Sequence, residues 1–166
     1  YVKLARAGDR AAFGVVIDAH YDFLFRTAYK WSGKREDAED IAQDVCIKLG
    51  SAIASFDGRS AFTSWLYRIV INAVRDRQRA GMRQARQVKA LELVSAEDMA
   101  PEQEEAVAQS QIWAAVRQLP ERQRDAVLLV YAEDKSHAEA AVIMETKEAT
   151  VSWYLHEARK RLKGLL

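Results

Sequence analysis

Apolar residues recur every three or four positions through the first half of the chain, which is the spacing of amphipathic helices. One series is Phe13, Ile17, Tyr21, Leu24, Ala28 and Trp31, and Gly33 follows it as a helix terminator. A second series is Ala38, Ile41, Val45, Leu49 and Ala52. A third begins with Phe62, Trp65, Ile69 and Ala73, after a stretch around Asp57 and Gly58 that is typical of a loop. This half of the chain therefore predicts a group of helices.

The apolar stripe weakens between Gly81 and about Glu104 and then returns. It resumes at Ile112, Val116, Leu119, Ala126, Leu129 and Val130. The sequence from Ser136 to Glu139 is a capping-box pattern, Glu145 to Lys147 forms a short break, and the last stripe is Val151, Leu155, Ala158 and Leu162. No strand-like alternation is present. The pattern predicts an all-α fold with a helical domain over residues 1–80, a polar linker over 81–104 and a second helical domain over 105–166.

The composition fits a folded chain with a core. Of 166 residues, 49% are hydrophobic and 30% are charged, which excludes a fibre and a disordered tail. No apolar run of about 18 residues could span a membrane, and the first residues lack the pattern of a signal peptide. The single cysteine, Cys46, excludes an internal disulfide and a multi-cysteine zinc site. We expect a cytoplasmic protein.

Charge is unevenly distributed. Residues 1–90 carry 16 Lys and Arg against 10 Asp and Glu, residues 91–120 carry 1 against 6, and residues 121–166 carry 8 against 8. The most basic block runs from Arg68 to Lys89, with Asp76 as its only acid, whereas an acidic run lies between Glu36 and Asp44. Asp37, Asp40 and Asp44 share one helix face beside the apolar stripe. Such asymmetry indicates distinct faces for distinct partners, although solvated helix surfaces also explain each block taken alone.

Catalytic chemistry has little support in the sequence. His20, His137 and His156 lie far apart and show no metal-ligand spacing, and no phosphate loop or nucleophile elbow is present. We therefore predict that the protein is not an enzyme and that it uses no cofactor and no metal.

Nucleic-acid binding is better supported, at two places. Residues 136–163 have the layout of a helix-turn-helix, and the apolar seam of its second helix leaves an outer arc of Lys147, Glu148, Thr150, Ser152, Trp153, His156, Arg159 and Lys160. An ordinary helical hairpin with a solvated face has the same pattern. The basic block shares its helix with Phe62, Trp65 and Asn72, and aromatic rings beside cations suit single-stranded DNA. For Trp65, a place in the core is the preferred interpretation.

Several strings together resemble the extracytoplasmic-function (ECF) sigma factors of bacterial RNA polymerase, over nearly the whole chain. They are Gly8-Asp9 with Ala12-Phe13, the string from Asp37 to Val45, the string from Phe62 to Asn72, Leu119 to Arg124, and the helix-turn-helix from Ser136 to Leu162. Each string alone is modest evidence, whereas five in order at the family's spacing are specific.

The resemblance implies roles for particular residues. It implies that core RNA polymerase binds Asp37, Asp40, Gln43 and Asp44. It implies that the promoter −10 element binds Phe56, Arg59, Asn72, Arg75 and Arg79, and that the −35 element binds Lys147, Glu148, Thr150, Ser152, Trp153, His156 and Arg159. It also implies an anti-sigma factor as a regulatory partner.

Two features depart from the family pattern. Glu145 stands where the family has a glycine in the turn, and a left-handed conformation there would cost a non-glycine residue roughly 1 kcal/mol. Ser152, Trp153 and Tyr154 replace expected basic residues, and Trp153 suits DNA contact and helix packing equally. The predicted function is a sigma factor that recruits polymerase and nucleates promoter opening. The alternatives are a helix-turn-helix regulator that acts without polymerase and a helical adaptor that binds only proteins.

Overall fold

A computed structural model of the chain describes residues 1–87 and 104–165, with side chains described for 1–84 and 110–164. Most of the predicted linker, including Pro101, lies outside the described residues. The α-helices are α1 (Val2–Arg6), α2 (Arg10–Ser32), α3 (Arg35–Ala52), α4 (Phe62–Gln87), α5 (Glu104–Arg117), α6 (Glu121–Val127), α7 (His137–Met144) and α8 (Glu148–Leu165). The described residues contain no strand, and the all-α prediction is confirmed.

The boundaries of α2 follow from its sequence. The Asp9 side chain accepts a hydrogen bond from the Ala12 amide at 3.0 Å and so caps the first turn. Gly33 ends the helix in the left-handed conformation, with φ of 76° and its amide bonded to the Tyr29 carbonyl. The predicted helix end at Gly33 is confirmed.

The first domain is α1 to α4. The three series predicted from spacing supply much of its interior, since Leu24, Ala28, Ile41, Val45 and Ala73 are all buried. In a smaller buried cluster, α1 packs against this bundle through Ala5, Ala12, Val16 and Ile53. The sequence pattern had not predicted α1 or the short 3₁₀ turn Ile53–Ser55, because neither is long enough to show a periodicity.

The second domain is α5 to α8 and ends in the helix-turn-helix. Ser136 Oγ accepts from the Glu139 amide at 3.0 Å, and the Ser136 amide donates to the Glu139 carboxylate at 3.1 Å, so the predicted capping box is confirmed. Glu145 has φ of 53° and ψ of 48°, the left-handed conformation expected at this departure from glycine. A π-helical turn over Leu128–Ala132, which no pattern indicated, links α6 to the loop before α7.

The two domains pack against each other. One cluster of buried apolar side chains runs from Leu24 in α2 through Val74 in α4 to Val116, Ile143 and Leu155 in the second domain. Helix α4 continues to Gln87, within the segment predicted as a linker. No helix within the described residues is both long and apolar enough to cross a membrane.

Candidate polymerase and promoter surfaces

The acidic face of α3 lies on the outside of the first domain. Asp40, Gln43 and Asp44 are exposed, and Asp37 is half-buried. Arg77 of α4 bridges two of these carboxylates, because its Nη2 atom lies 3.1 Å from Oδ1 of Asp37 and 2.9 Å from Oδ2 of Asp40. The charge of this face at Asp37 and Asp40 is therefore partly neutralised by an arginine of the same domain.

The C-terminal end of the same face, at Asp44 and Ile47, differs from the part that Arg77 neutralises. Asp44 has no ion-pair partner within the described residues, and Ile47, on the next turn, is 77% exposed. An unpaired carboxylate beside an uncovered aliphatic side chain is the kind of surface that a protein partner can both orient on and desolvate.

Helix α4 carries the basic block, and the polar side chains along it differ in their exposure to solvent. Asn72 and Arg79 are exposed, whereas the Arg75 side chain retains 19% of its exposure. Arg75 and Arg79 are both ion-paired with carboxylates of α6. Arg59, in the loop before α4, is exposed and hydrogen-bonds through its amide to Asp57 at 3.0 Å. The four polar residues predicted to bind the −10 element thus lie along α4 and the loop that leads into it.

Phe56 corrects the sequence-based expectation. Its ring is 7% exposed and packs against Phe62 at 5.3 Å and Trp65 at 5.2 Å between centroids, with the Arg6 guanidinium over it. These contacts leave no ring face for a DNA base. Phe56 is buried in the first domain because it directly follows the 3₁₀ turn and its ring points inward. The loop sequence alone does not predict this placement. Trp65 is partly buried against the same cluster, which agrees with the preferred core interpretation.

The outer arc of α8 faces solvent as the apolar seam predicted. Lys147, Glu148, Ser152, His156 and Arg159 are exposed, and Thr150 is half-buried. The seam residues Val151, Leu155 and Ala158 are buried. The arc begins at the helix N-terminus, where polar side chains of a recognition helix reach base edges.

Three contacts shape this arc. His137 Nδ1 lies 2.9 Å from Ser152 Oγ, which also donates to the Glu148 carbonyl at 3.3 Å. The Arg159 guanidinium donates to the hydroxyl of Tyr131, so it is held toward the π-helical turn of residues 128–132. Trp153 is 55% exposed and its ring packs on Tyr154 at 5.3 Å, which leaves most of the indole open to a partner.

A polar cluster that no sequence pattern predicted lies at the domain interface and is centred on Asp125. Its carboxylate, 1% exposed, accepts from Trp31 Nε1 at 2.9 Å, from Arg75 Nη2 at 2.8 Å and from Arg124 at 3.1 Å. Gln78 of α4 in turn accepts from Arg124 at 2.6 Å. A buried charge needs such partners, since an unpaired one is very costly.

A second interdomain cluster surrounds Glu133. Lys30 Nζ lies 2.6 Å from one carboxylate oxygen, and the Tyr67 hydroxyl donates to the other at 2.7 Å. Burial and the neighbouring Glu133 carboxylate raise the pKa of Tyr67 far above its ordinary value, so its hydroxyl remains a donor. Arg117 of α5 donates to the Lys30 carbonyl at 3.0 Å and so caps the end of α2, and its side chain lies against Gly33, where a Cβ would stand 2.9 Å from it. Burial lowers the pKa of Arg117.

Comparison with known proteins fits this architecture. The family model for sigma-70 region 2 matches residues 16–84, and the family model for sigma-70 region 4 matches residues 109–162. Sigma factor SigM of Mycobacterium tuberculosis is 37% identical over 96% of this chain and 80% of its own length. SigW of Bacillus subtilis is 29% identical over 99% of this chain and 94% of its own length.

A solved structure gives the same result for the fold. The sigma factor RpoE of Bartonella quintana, in complex with the anti-sigma factor NepR, superposes with a TM-score of 0.71 and 26% identity, over 93% of this chain and 96% of that chain. A helical region 2 followed by a region 4 with a helix-turn-helix defines a sigma factor of bacterial RNA polymerase. Within that class the chain belongs to the ECF sigma factors, and it directs RNA polymerase to specific promoters.

Proposed function

We propose that three separate surfaces of this chain carry the sigma-factor function, one for core polymerase and one for each promoter element. The observation that carries the proposal is the exposed polar arc of α8, which no fold requirement explains because a separate buried seam on the same helix does the packing. The two other surfaces lie on α3 and α4, in the first domain. We also propose that residues 1–80 form the first domain, that 81–104 form the linker and that 105–166 form the second domain.

The polymerase surface is the acidic face of α3. Asp37, Asp40, Gln43 and Asp44 lie on consecutive turns of one helix, and the exposed Ile47 extends the face by another turn. Carboxylates of this kind orient a basic partner and fix its register, while burial of the aliphatic side chain contributes affinity.

The −10 surface is formed by Arg59, Asn72, Arg75 and Arg79. Guanidinium groups bind phosphate oxygens in a bidentate manner, and the Asn72 amide can donate to and accept from the edge of an unpaired base. Phe56 does not belong to this surface, because its ring is enclosed by Phe62 and Trp65. Opening of the promoter there depends on capture of bases that have left the duplex.

The −35 surface is the arc of α8. Lys147, Glu148, Thr150 and Ser152 occupy the first turns, which enter the major groove, whereas Arg159 lies further along and meets the phosphate backbone. Trp153 and His156 lie between these two groups on the exposed side. The Glu148 carboxylate can accept from the amino group of a cytosine, so it is placed for base choice.

Several properties follow from this assignment. The chain supplies no catalytic group, and the chemistry of RNA synthesis belongs to polymerase. It works where polymerase works, in the cytoplasm. The RpoE relative is held by the anti-sigma factor NepR and the relative CnrH by the cytosolic domain of CnrY, and we propose a protein inhibitor of the same class for this chain. No metal or cofactor takes part.

Binding to core polymerase tests the proposal against its alternatives. Labelled wild-type chain is titrated with purified core polymerase, with duplex promoter DNA in the absence of polymerase, and with the same DNA in the presence of polymerase. A sigma factor binds core polymerase and acquires promoter affinity only in that complex. A regulator would bind duplex DNA alone, and a protein adaptor would acquire no promoter affinity with or without polymerase. Either of those results contradicts the proposal.

A further inference from the structure

The first turn of α7 contacts the exposed arc of α8 through a hydrogen bond between side chains. His137 Nδ1 lies 2.9 Å from Ser152 Oγ. His137 is the first residue of α7, directly after the N-cap Ser136, so the capping box fixes the backbone that carries it. Resting on the proposed function, we propose that His137 is a positioning residue for promoter recognition, which holds the Ser152 hydroxyl as an acceptor toward an amino group of a −35 base.

The Ser152 hydroxyl has two partners within the protein. Its oxygen lies 2.9 Å from His137 Nδ1 and 3.3 Å from the Glu148 carbonyl oxygen of the preceding helical turn. A hydroxyl group has one proton and two lone pairs. If Nδ1 is protonated, it donates to Oγ and the hydroxyl proton points to the Glu148 carbonyl. If Nδ1 is unprotonated, it accepts the hydroxyl proton instead, so the proton is used within the protein in both tautomers.

This arrangement leaves the Ser152 hydroxyl with a lone pair for DNA and without a free proton. Acceptance from a base therefore requires no rearrangement of the side chain. Donation to a base would break a hydrogen bond and leave Oγ facing either His137 Nδ1 or the Glu148 carbonyl oxygen with no proton between them. The loss of one such hydrogen bond corresponds to about a threefold to tenfold difference in affinity.

The group that Ser152 would recognise follows from the edges of the base pairs in the major groove. Adenine N6 and cytosine N4 carry amino groups that donate, whereas guanine O6 and thymine O4 accept. The Glu148 carboxylate, one turn before Ser152 on the same side of α8, is also an acceptor. Two neighbouring acceptors favour amino groups and disfavour carbonyl oxygens at the positions that they contact.

Packing of the helix-turn-helix does not depend on this hydrogen bond. The apolar seam of α8 is buried, whereas Ser152 is exposed and His137 is half-buried. A hydrogen bond between groups that water can reach adds little to stability, since water forms similar bonds in the unfolded chain. Loss of the His137 side chain should therefore leave the fold intact and change the way in which Ser152 meets DNA.

The test uses the full-length chain in complex with core polymerase and measures promoter affinity by competition. Selection from a randomised −35 library first identifies the base pair whose preference disappears in Ser152→Ala. The amino group of that pair is then removed, by purine in place of adenine or 2-pyrimidinone in place of cytosine. Wild type should lose about threefold to tenfold in affinity, and Ser152→Ala should show no such loss.

Variants of His137 separate a positioning role from a structural one. In His137→Ala the serine is free to change its rotamer, so removal of the amino group should cost about twofold or less. His137→Asn places an amide near the position of Nδ1 and should retain the wild-type loss. A merely structural role would instead weaken binding to every DNA alike. Circular dichroism checks that each variant retains its helix content.

The matched control is another histidine with a hydrogen-bonded Nδ1. His20 Nδ1 lies 2.8 Å from the Val16 carbonyl oxygen within α2, in the first domain. His20→Ala should therefore keep the wild-type dependence on the amino group. A second control removes the carbonyl oxygen of the same base pair, by 2-aminopurine in place of guanine or 5-methyl-2-pyrimidinone in place of thymine. This change should leave the affinity of wild type nearly unaltered.

Three results would overturn the inference. They are an unchanged −35 profile for Ser152→Ala, a dependence of wild type on the carbonyl oxygen in place of the amino group, and equal dependence on the amino group in His137→Ala and wild type. Failure of the proposed function is distinguishable, because the holoenzyme would then select no −35 sequence at all. Failure of this inference alone leaves a selected −35 sequence.

Discussion

The indole Nε1 of Trp31 lies 2.9 Å from Oδ1 of Asp125, although 94 residues separate them in the chain. Both side chains are buried, so this hydrogen bond joins the end of α2 to α6 of the second domain. Because Asp125 also accepts from Arg75 and Arg124, one carboxylate links α2, α4 and α6. The contact between the two domains is organised around that acid.

Replacement of Trp31 by Phe should destabilise the folded chain. The ring remains apolar, but the carboxylate loses one donor, and the expected fall in the free energy of unfolding is about 1–3 kcal/mol. Urea denaturation followed by circular dichroism measures it. Trp153→Phe is the matched control, since Trp153 is 55% exposed and makes no such bond. Equal stability of the two variants would show that the Trp31 bond contributes nothing to the stability of the fold.

Asp44 should matter for polymerase binding. It is exposed and unpaired within the described residues, so Asp44→Lys reverses a charge that polymerase can contact directly. We expect core affinity to fall about tenfold or more, because like charges brought together at an interface are strongly unfavourable. Competition binding with labelled wild type measures the change. Asp18→Lys makes the same charge reversal on the exposed side of α2, and a similar loss in that variant would remove the case for the α3 face.

Base choice and backbone affinity should separate along α8. Glu148→Ala and Ser152→Ala should change the preferred −35 bases, with about 1–3 kcal/mol of discrimination lost at the contacted position. Arg159→Ala should weaken all sequences about equally, because phosphate contacts carry no base preference. Selection from a randomised promoter library reports both effects. An unchanged base profile for Glu148→Ala and Ser152→Ala, with a changed one for Arg159→Ala, would mean that the helix lies in the groove in a different orientation.

Loss of the Ser136 hydroxyl should weaken the start of the helix-turn-helix. Substitution of an N-cap serine by alanine costs about 0.5–2 kcal/mol of stability. The stability difference from wild type is measured by urea denaturation at neutral pH. Ser51→Ala removes an exposed hydroxyl from the last turns of α3 and serves as the control. If Ser51→Ala loses as much stability as Ser136→Ala, the capping box has no special role.

The same capping box gives a pH dependence. Hydrogen bonds with Ser136, first from its backbone amide and then with its side chain, lower the pKa of Glu139. A depressed carboxyl pKa stabilises the fold above the unfolded value of about 4.3, and this contribution is lost as the pH falls through the folded value. Ser136→Ala keeps the backbone amide, which is the larger cause, and removes the side chain, so the pKa of Glu139 should rise only part of the way toward its ordinary value, which an NMR titration measures. A Glu139 titration identical in both proteins would contradict the assignment.

Local features of the fold were predictable because their causes are local. The Gly33 helix end, the Ser136 capping box and the left-handed Glu145 all depend on residues within one or two turns. The buried seam of α8 was likewise visible, since Val151, Leu155 and Ala158 repeat at helical spacing. Periodicity therefore also predicted which residues of α8 are exposed.

Features that depend on distant residues were not predictable. Asp125 directly follows a run of polar and charged residues and has the appearance of a solvated acid, yet it is buried because Trp31 and Arg75 of the other domain pack against it. Phe56 follows the same rule, since its burial depends on Phe62 and Trp65 folding back over the loop. Sequence periodicity contains no information about which faces of two domains meet.

The most direct test of the account is transcription with purified core polymerase on a library of promoters with randomised upstream sequence. With the wild-type chain present, transcripts should start at fixed sites and their templates should share one sequence block near −35 and another near −10. Glu148→Ala should alter only the upstream block, and Asp44→Lys should reduce all transcripts. Transcripts that appear equally without the chain, or that share no upstream block, would contradict the conclusion that this protein directs polymerase to its promoters.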